Sequence, residues 1–149
     1  MTGQRRSRPT SSTIQYTRPL PTLTHLNRPF FDGARRGELR LQRCAVCGQH
    51  WFPPSTSCPR CLSVNWAWER VSGRGRVWSW IVMHQRYFKA FEADLPYNVA
   101  FIQLDEGPFV MSTLVGIAAD AIRCDLPVEV TFEPATDEIA VPKFRPRAD

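Results

Sequence analysis

A chain of 149 residues holds one domain of ordinary size or two very small ones. It has no run of about 18 apolar residues, which excludes a membrane-spanning helix. Its formal charge of +5 is mostly a terminal property. Arg5, Arg6, Arg8 and Arg18 lie in an acid-free stretch over 1–21, and the remainder carries 15 basic against 14 acidic side chains. So neutral a body argues against a nucleic-acid groove, which needs a basic track. The Arg-rich, polar start lacks the apolar core of a secretory signal and points to the cytoplasm.

Residues 1–22 are rich in Arg, Pro, Ser and Thr and read as a disordered tail, with docking on a partner as the alternative role. Residues 23–43 read as a helical segment, with the helix itself over 27–43. Asn27 suits an N-cap and Pro29 a first turn, while Phe30, Phe31, Ala34, Leu39 and Leu41 supply apolar positions. Gly33 and Gly37 weaken or break this helix. The segment either leans on the next module or offers Phe30 and Phe31 to a partner.

Residues 44–70 carry the strongest signal. Cys44-Ala-Val-Cys47-Gly48 and Cys58-Pro-Arg-Cys61 are two C-x-x-C units separated by ten residues. Two residues between cysteines let one tight turn aim both sulfurs at a single ion, and two such turns make a tetrahedral S₄ site. Zinc is the expected ion and iron its rival. Four thiolates leave no open position for water, so the site is structural. Trp51, Phe52, Pro53 and Pro54 read as an apolar cover over the metal, and His50 as a residue outside the ligand set.

Residues 71–149 read as strands. Arg76–Gln85 alternates, with Val77, Ser79, Ile81 and Met83 on one face and Trp78, Trp80, Val82 and His84 on the other. Tyr97–Leu104 and Phe109–Val115 form a hairpin around the turn 105–108, and Pro127–Glu133 and Ile139–Phe144 complete five strands. Five short strands after a metal knuckle suggest a small closed barrel. The fold class is therefore mainly β. Cys124 is expected to be a small buried apolar residue. His84, near a strand end, is the one histidine worth testing for catalysis. No nucleophile–base pair accompanies it locally.

The segments FFDGARRG (30–37), LQRCAVCGQHWFPP (41–54), CPRCLS (58–63), SGRG (72–75), LPYNVA (95–100), LDEG (104–107), PVEV (127–130) and FRP (144–146) together resemble the rubredoxin-like zinc-ribbon plus OB-fold family of acyl-CoA-associated, thiolase-partner proteins. The resemblance covers Pro29 to Pro146. The chain departs from the family pattern at Asp125, where a glycine usually precedes the last barrel segment. Aspartate tolerates unusual turn backbone, so the turn can form.

The resemblance implies a five-stranded OB-fold barrel behind a zinc ribbon. It also implies a non-catalytic or co-catalytic subunit that binds acyl-CoA beside a thiolase, acyltransferase, aldolase or hydratase. The loop Arg86–Asp94 suits that role. Tyr87, Phe88 and Phe91 suit an acyl or pantetheine arm, and Arg86 and Lys89 suit CoA phosphates. Packing of these rings on the barrel end, or an interface with another protein, is the alternative. The rival functions are a nucleic-acid module, with Trp78, Trp80 and Phe101 stacking on bases, and a rubredoxin-like electron carrier.

Overall fold

The computed structural model describes residues 16–148. The expectations for residues 1–15 lie outside the described residues. Among the described residues one α-helix and eight strands follow one another: α1 (Arg28–Arg35), β1 (Arg40–Cys44), β2 (His50–Trp51), β3 (Trp66–Arg70), β4 (Arg74–Met83), β5 (Tyr97–Leu104), β6 (Phe109–Ser112), β7 (Pro127–Pro134) and β8 (Ala140–Pro146). None of the described helices is long and apolar enough to cross a membrane.

The helix is shorter than the sequence suggests. It stops at Arg35, and Gly37 follows at a φ of +74°. Leu39 and Leu41 therefore belong to the approach and body of β1, not to a helix. Asn27 does not cap α1 through its side chain. Its Oδ1 instead accepts the Thr24 N–H at 2.8 Å, and its Nδ2 donates to the Thr22 carbonyl at 3.0 Å, fixing the turn before the helix. Phe30 and Ala34 are buried, so the helix leans on the body of the protein.

β1 lies between β2 and β3 in a three-stranded antiparallel sheet. The other five strands form a second sheet in the order β6-β5-β4-β7-β8, all pairs antiparallel. A parallel bridge between Leu114 and Phe144 brings the two ends of this sheet together. That closure makes the sheet an OB-fold barrel.

One cluster of buried apolar residues runs through Phe30 of α1, Leu39 and Leu41 of the β1 region, and Val77, Ala100, Ile102, Val128 and Phe144 of the barrel. Helix, ribbon base and barrel thus share a core. A smaller cluster of Cys44, Trp51 and Cys58, with Cys47 and Trp66 against it, lies at the ribbon tip.

The faces of β4 differ from the alternation read in the sequence. Val77 pairs with Ile102, and Ser79 pairs with Phe101, so Trp78 is an extra residue opposite none. Such a bulge reverses the side-chain alternation beyond it. Trp80 shares Val77's inward face and packs on the core, whereas Ser79 and Ile81 are exposed. The cause lies far along the chain. Val77 donates its N–H to the Leu126 carbonyl at 3.0 Å and accepts the Asp125 N–H at 2.8 Å. Asp125 has a φ of +60°, so the residue at the family's glycine position does occupy the left-handed region. Cys124, two residues from Leu126, is exposed, not buried. The bulge brings the Trp78 carbonyl within 3.5 Å of its sulfur.

Candidate metal centre and apolar cleft

Two turns of matching geometry present the cysteines. Gly48 donates its N–H to the Cys44 carbonyl at 3.0 Å, and Leu62 donates to the Cys58 carbonyl at 2.9 Å. Each sits one residue after its C-x-x-C unit and takes positive φ, +73° for Gly48 and +62° for Leu62. Glycine does this freely, whereas leucine is strained there.

The four sulfurs lie within 4.8 Å of one another. Cys44 and Cys61 approach to 3.5 Å, and Cys47 and Cys58 to 3.6 Å. A zinc tetrahedron with bonds of about 2.3 Å has edges of about 3.8 Å, so the cluster fits the ion. The N–H groups of Cys47 and Val46 hold Cys44 down at about 6. At Cys58 burial opposes ionisation, but the N–H groups of Cys61 and Arg60 outweigh it and lower its pKa. Ser63 N–H favours the Cys61 thiolate, yet desolvation and the three neighbouring thiols push it up to about 12. Four sulfurs this close do not all ionise unaided, and a divalent cation supplies the opposing charge.

Around the cluster, Trp51 is buried against the cysteines, while Phe52 turns to the main core. The apolar cover thus divides between two clusters. His50 pairs through Nε2 with Glu69 at 2.7 Å, outside the sulfur set. Gln42 is the fully buried polar residue of the ribbon. Its amide donates to the Ser55 carbonyl and accepts the Ser55 N–H, both at 2.8 Å, and so ties β1 to the loop between the cysteine pairs.

A second feature is an apolar cleft of about 470 Å³. Phe30 and Phe31 of α1, Phe52 of the ribbon, Phe91 and Tyr97 beside the barrel, and residues of β6 and β8 line it. Tyr16, Arg18, Pro19 and Pro21 line it too. This segment has no helix or strand, but it is fixed in place. Arg18 holds both carboxylate oxygens of Asp94, at 2.8 and 2.7 Å, and reaches Glu133 at 3.4 Å. Nothing local in the sequence signals a partnership between residues 76 positions apart.

The ribbon and the barrel have counterparts in known proteins. Family models for the ChsH2 rubredoxin-like zinc ribbon domain and the ChsH2 C-terminal OB-fold domain match residues 31–66 and 68–133. The chain is 30% identical to the benzoylsuccinyl-CoA thiolase subunit BbsA of Thauera aromatica, over 78% of this chain and 81% of that one. It belongs to the ChsH2 (DUF35) family. A chain of the solved Ltp2–ChsH2(DUF35) aldolase superposes with a TM-score of 0.75 at 38% identity, covering 85% of this chain and 98% of that one. A probable enoyl-CoA hydratase alpha subunit of Thermomonospora curvata is 40% identical over 87% of this chain, which spans 40% of that protein's length.

As in the zinc ribbon that names this family's first domain, the four clustered cysteines suit a structural zinc. The five loop residues singled out in the sequence do not converge. Phe91 turns into the cleft, with its ring centroid 5.7 Å from that of Tyr97. Tyr87 and Phe88 are exposed. Arg86 pairs with Glu92 at 3.0 Å, and Lys89 is exposed at the start of a short 3₁₀ turn, Lys89–Asp94. His84 is exposed at the end of β4. Of the three rings considered for base stacking, Trp80 packs against the core. Trp78 and Phe101 stay on the surface, each against Phe109.

Proposed function

We propose that this ChsH2-family chain is a cytoplasmic, non-catalytic or co-catalytic accessory subunit of a thiolase-like enzyme, and that it helps hold the partner's acyl-CoA. The observation that carries the reading is the match over 98% of a chain in the Ltp2–ChsH2(DUF35) aldolase, together with a thiolase subunit matched over most of its length. The chemistry served is acyl transfer, aldol or retro-aldol cleavage, or the shortening of lipid or steroid side chains.

In this reading Cys44, Cys47, Cys58 and Cys61 hold zinc for structure alone, because four thiolates complete its shell. Reduced cysteines suit the cytoplasm. Arg86, Tyr87, Phe88, Lys89 and Phe91 form the CoA-facing loop, the cations reaching phosphate and the rings the apolar arm.

Affinity capture of the tagged full chain from its native host tests the assignment. A thiolase-like enzyme in stoichiometric amount is expected. A chain recovered alone, as a monomer that gives no heat with CoA thioesters, would overturn it. Replacing both Arg86 and Lys89 by alanine should weaken CoA binding and leave zinc content unchanged. Unaltered CoA affinity in that variant would move the site away from the loop.

A further inference from the structure

The barrel is weakest where β6 meets β8. Among the described residues these strands share no ladder. They meet through the Leu114–Phe144 bridge and the Ser112 hydroxyl, which donates to the Pro142 carbonyl at 2.9 Å. The apolar cleft opens beside this seam, walled by Phe31, Phe91, Tyr97, Met111 and Val141. A cavity of about 470 Å³ lies within the ordinary range of small-molecule sites, roughly 300–1,000 Å³.

The rim decides what kind of ligand fits. Arg18 and Lys143 are its cations, and Asp94 and Glu133 their partners. Two positive charges meet two negative ones, so neither a cation nor an anion is favoured inside. The walls reward an uncharged apolar group, and a charged head stays in water. The cover differs from the walls. Residues 16–21 cross the cleft as an irregular strap, pinned by the Arg18 guanidinium on Asp94 and Glu133. All three side chains are partly exposed, so the pin is exchangeable.

We propose that this cleft receives the apolar acyl group of a CoA thioester and that the Arg18 strap is its removable cover. The proposal rests on the reading of acyl-CoA as a ligand of this chain. It adds that the acyl end, not only the CoA end, is held by this subunit. Thioester and phosphates then lie outside, toward the 86–94 loop.

Calorimetry on the zinc-loaded full chain tests it with free CoA and decanoyl-CoA. The acyl chain should tighten binding at least tenfold. Met111→Trp and Val141→Trp each fill the cleft from a position outside the buried core, and each should remove that gain while free CoA binds as before. Trp78→Ser, on the exposed face of β4, should keep the gain. Arg18→Ala should speed decanoyl-CoA release several-fold in stopped flow. Equal affinity for the two ligands would overturn the cleft assignment and leave the accessory-subunit reading standing. So would a gain that survives in both filled variants or disappears in Trp78→Ser. Heat from neither ligand would overturn it together with the acyl-CoA part of that reading. Failure to capture a partner enzyme, with the tenfold gain intact, would count against the subunit assignment alone.

Discussion

The ribbon between Arg40 and Arg70 and the barrel between Arg74 and Pro146 both pair antiparallel strands, but different forces hold them. The ribbon tip buries Cys44, Trp51 and Cys58 with little else, and one buried glutamine closes its loop. So few apolar groups do not offset the entropy of ordering the chain, and metal–thiolate bonds must supply the difference. The barrel buries a continuous set from Val77 through Ile102 to Phe144 and needs no ion. At its own weak point it uses the same device as the ribbon. The Asn98 amide brackets Leu114, donating to its carbonyl at 2.9 Å and accepting its N–H at 2.7 Å. A small domain thus divides its stability between a metal-dependent arm and a self-supporting barrel, joined through Leu39 and Leu41.

The largest break of this comparison is removal of the ion. Cys44→Ser, or stripping with a strong chelator, should cost the ribbon about 10 kcal/mol. Far-UV circular dichroism and solubility should report loss of the ribbon and aggregation. A Cys44→Ser protein with wild-type melting temperature would mean that the ribbon does not depend on its metal. In the barrel, Phe144→Ala removes a ring that is 1% exposed and should cost about 3–5 kcal/mol in urea unfolding, with zinc content unchanged.

A smaller effect separates the polar bracket from the metal. Gln42→Leu leaves the Ser55 N–H and carbonyl without partners and should cost about 1–3 kcal/mol, read as earlier unfolding at full zinc occupancy. The smallest has the opposite sign. Leu62 is 75% exposed and held at positive φ, so Leu62→Gly should stabilise the ribbon by about 1 kcal/mol and raise its melting temperature. A destabilised Leu62→Gly protein would show that the side chain matters more than its backbone strain.

What was legible in the sequence follows the range of the forces involved. The cysteine cluster is legible because ligand geometry constrains residues only three positions apart. Strand β5 was legible because its run of β-branched and aromatic residues needs no context. The Arg36–Arg43 stretch carries Arg36, Glu38, Arg40 and Arg43 and little period, and it reads as helix in the sequence although its second half is β1. The inward turn of Trp80 was hidden, because Asp125 and Leu126, nearly fifty residues away, hold the Val77 backbone beside the bulge. The cleft was hidden for the same reason. Its walls come from α1, the ribbon and the barrel seam, and its cover depends on an ion pair spanning 76 positions.

Native mass spectrometry of the chain freshly isolated from its host tests the account most directly. The expected species is a heteromer with a thiolase-like enzyme in which each copy of this chain carries one zinc ion. A soluble, folded chain found alone and free of transition metal would contradict it.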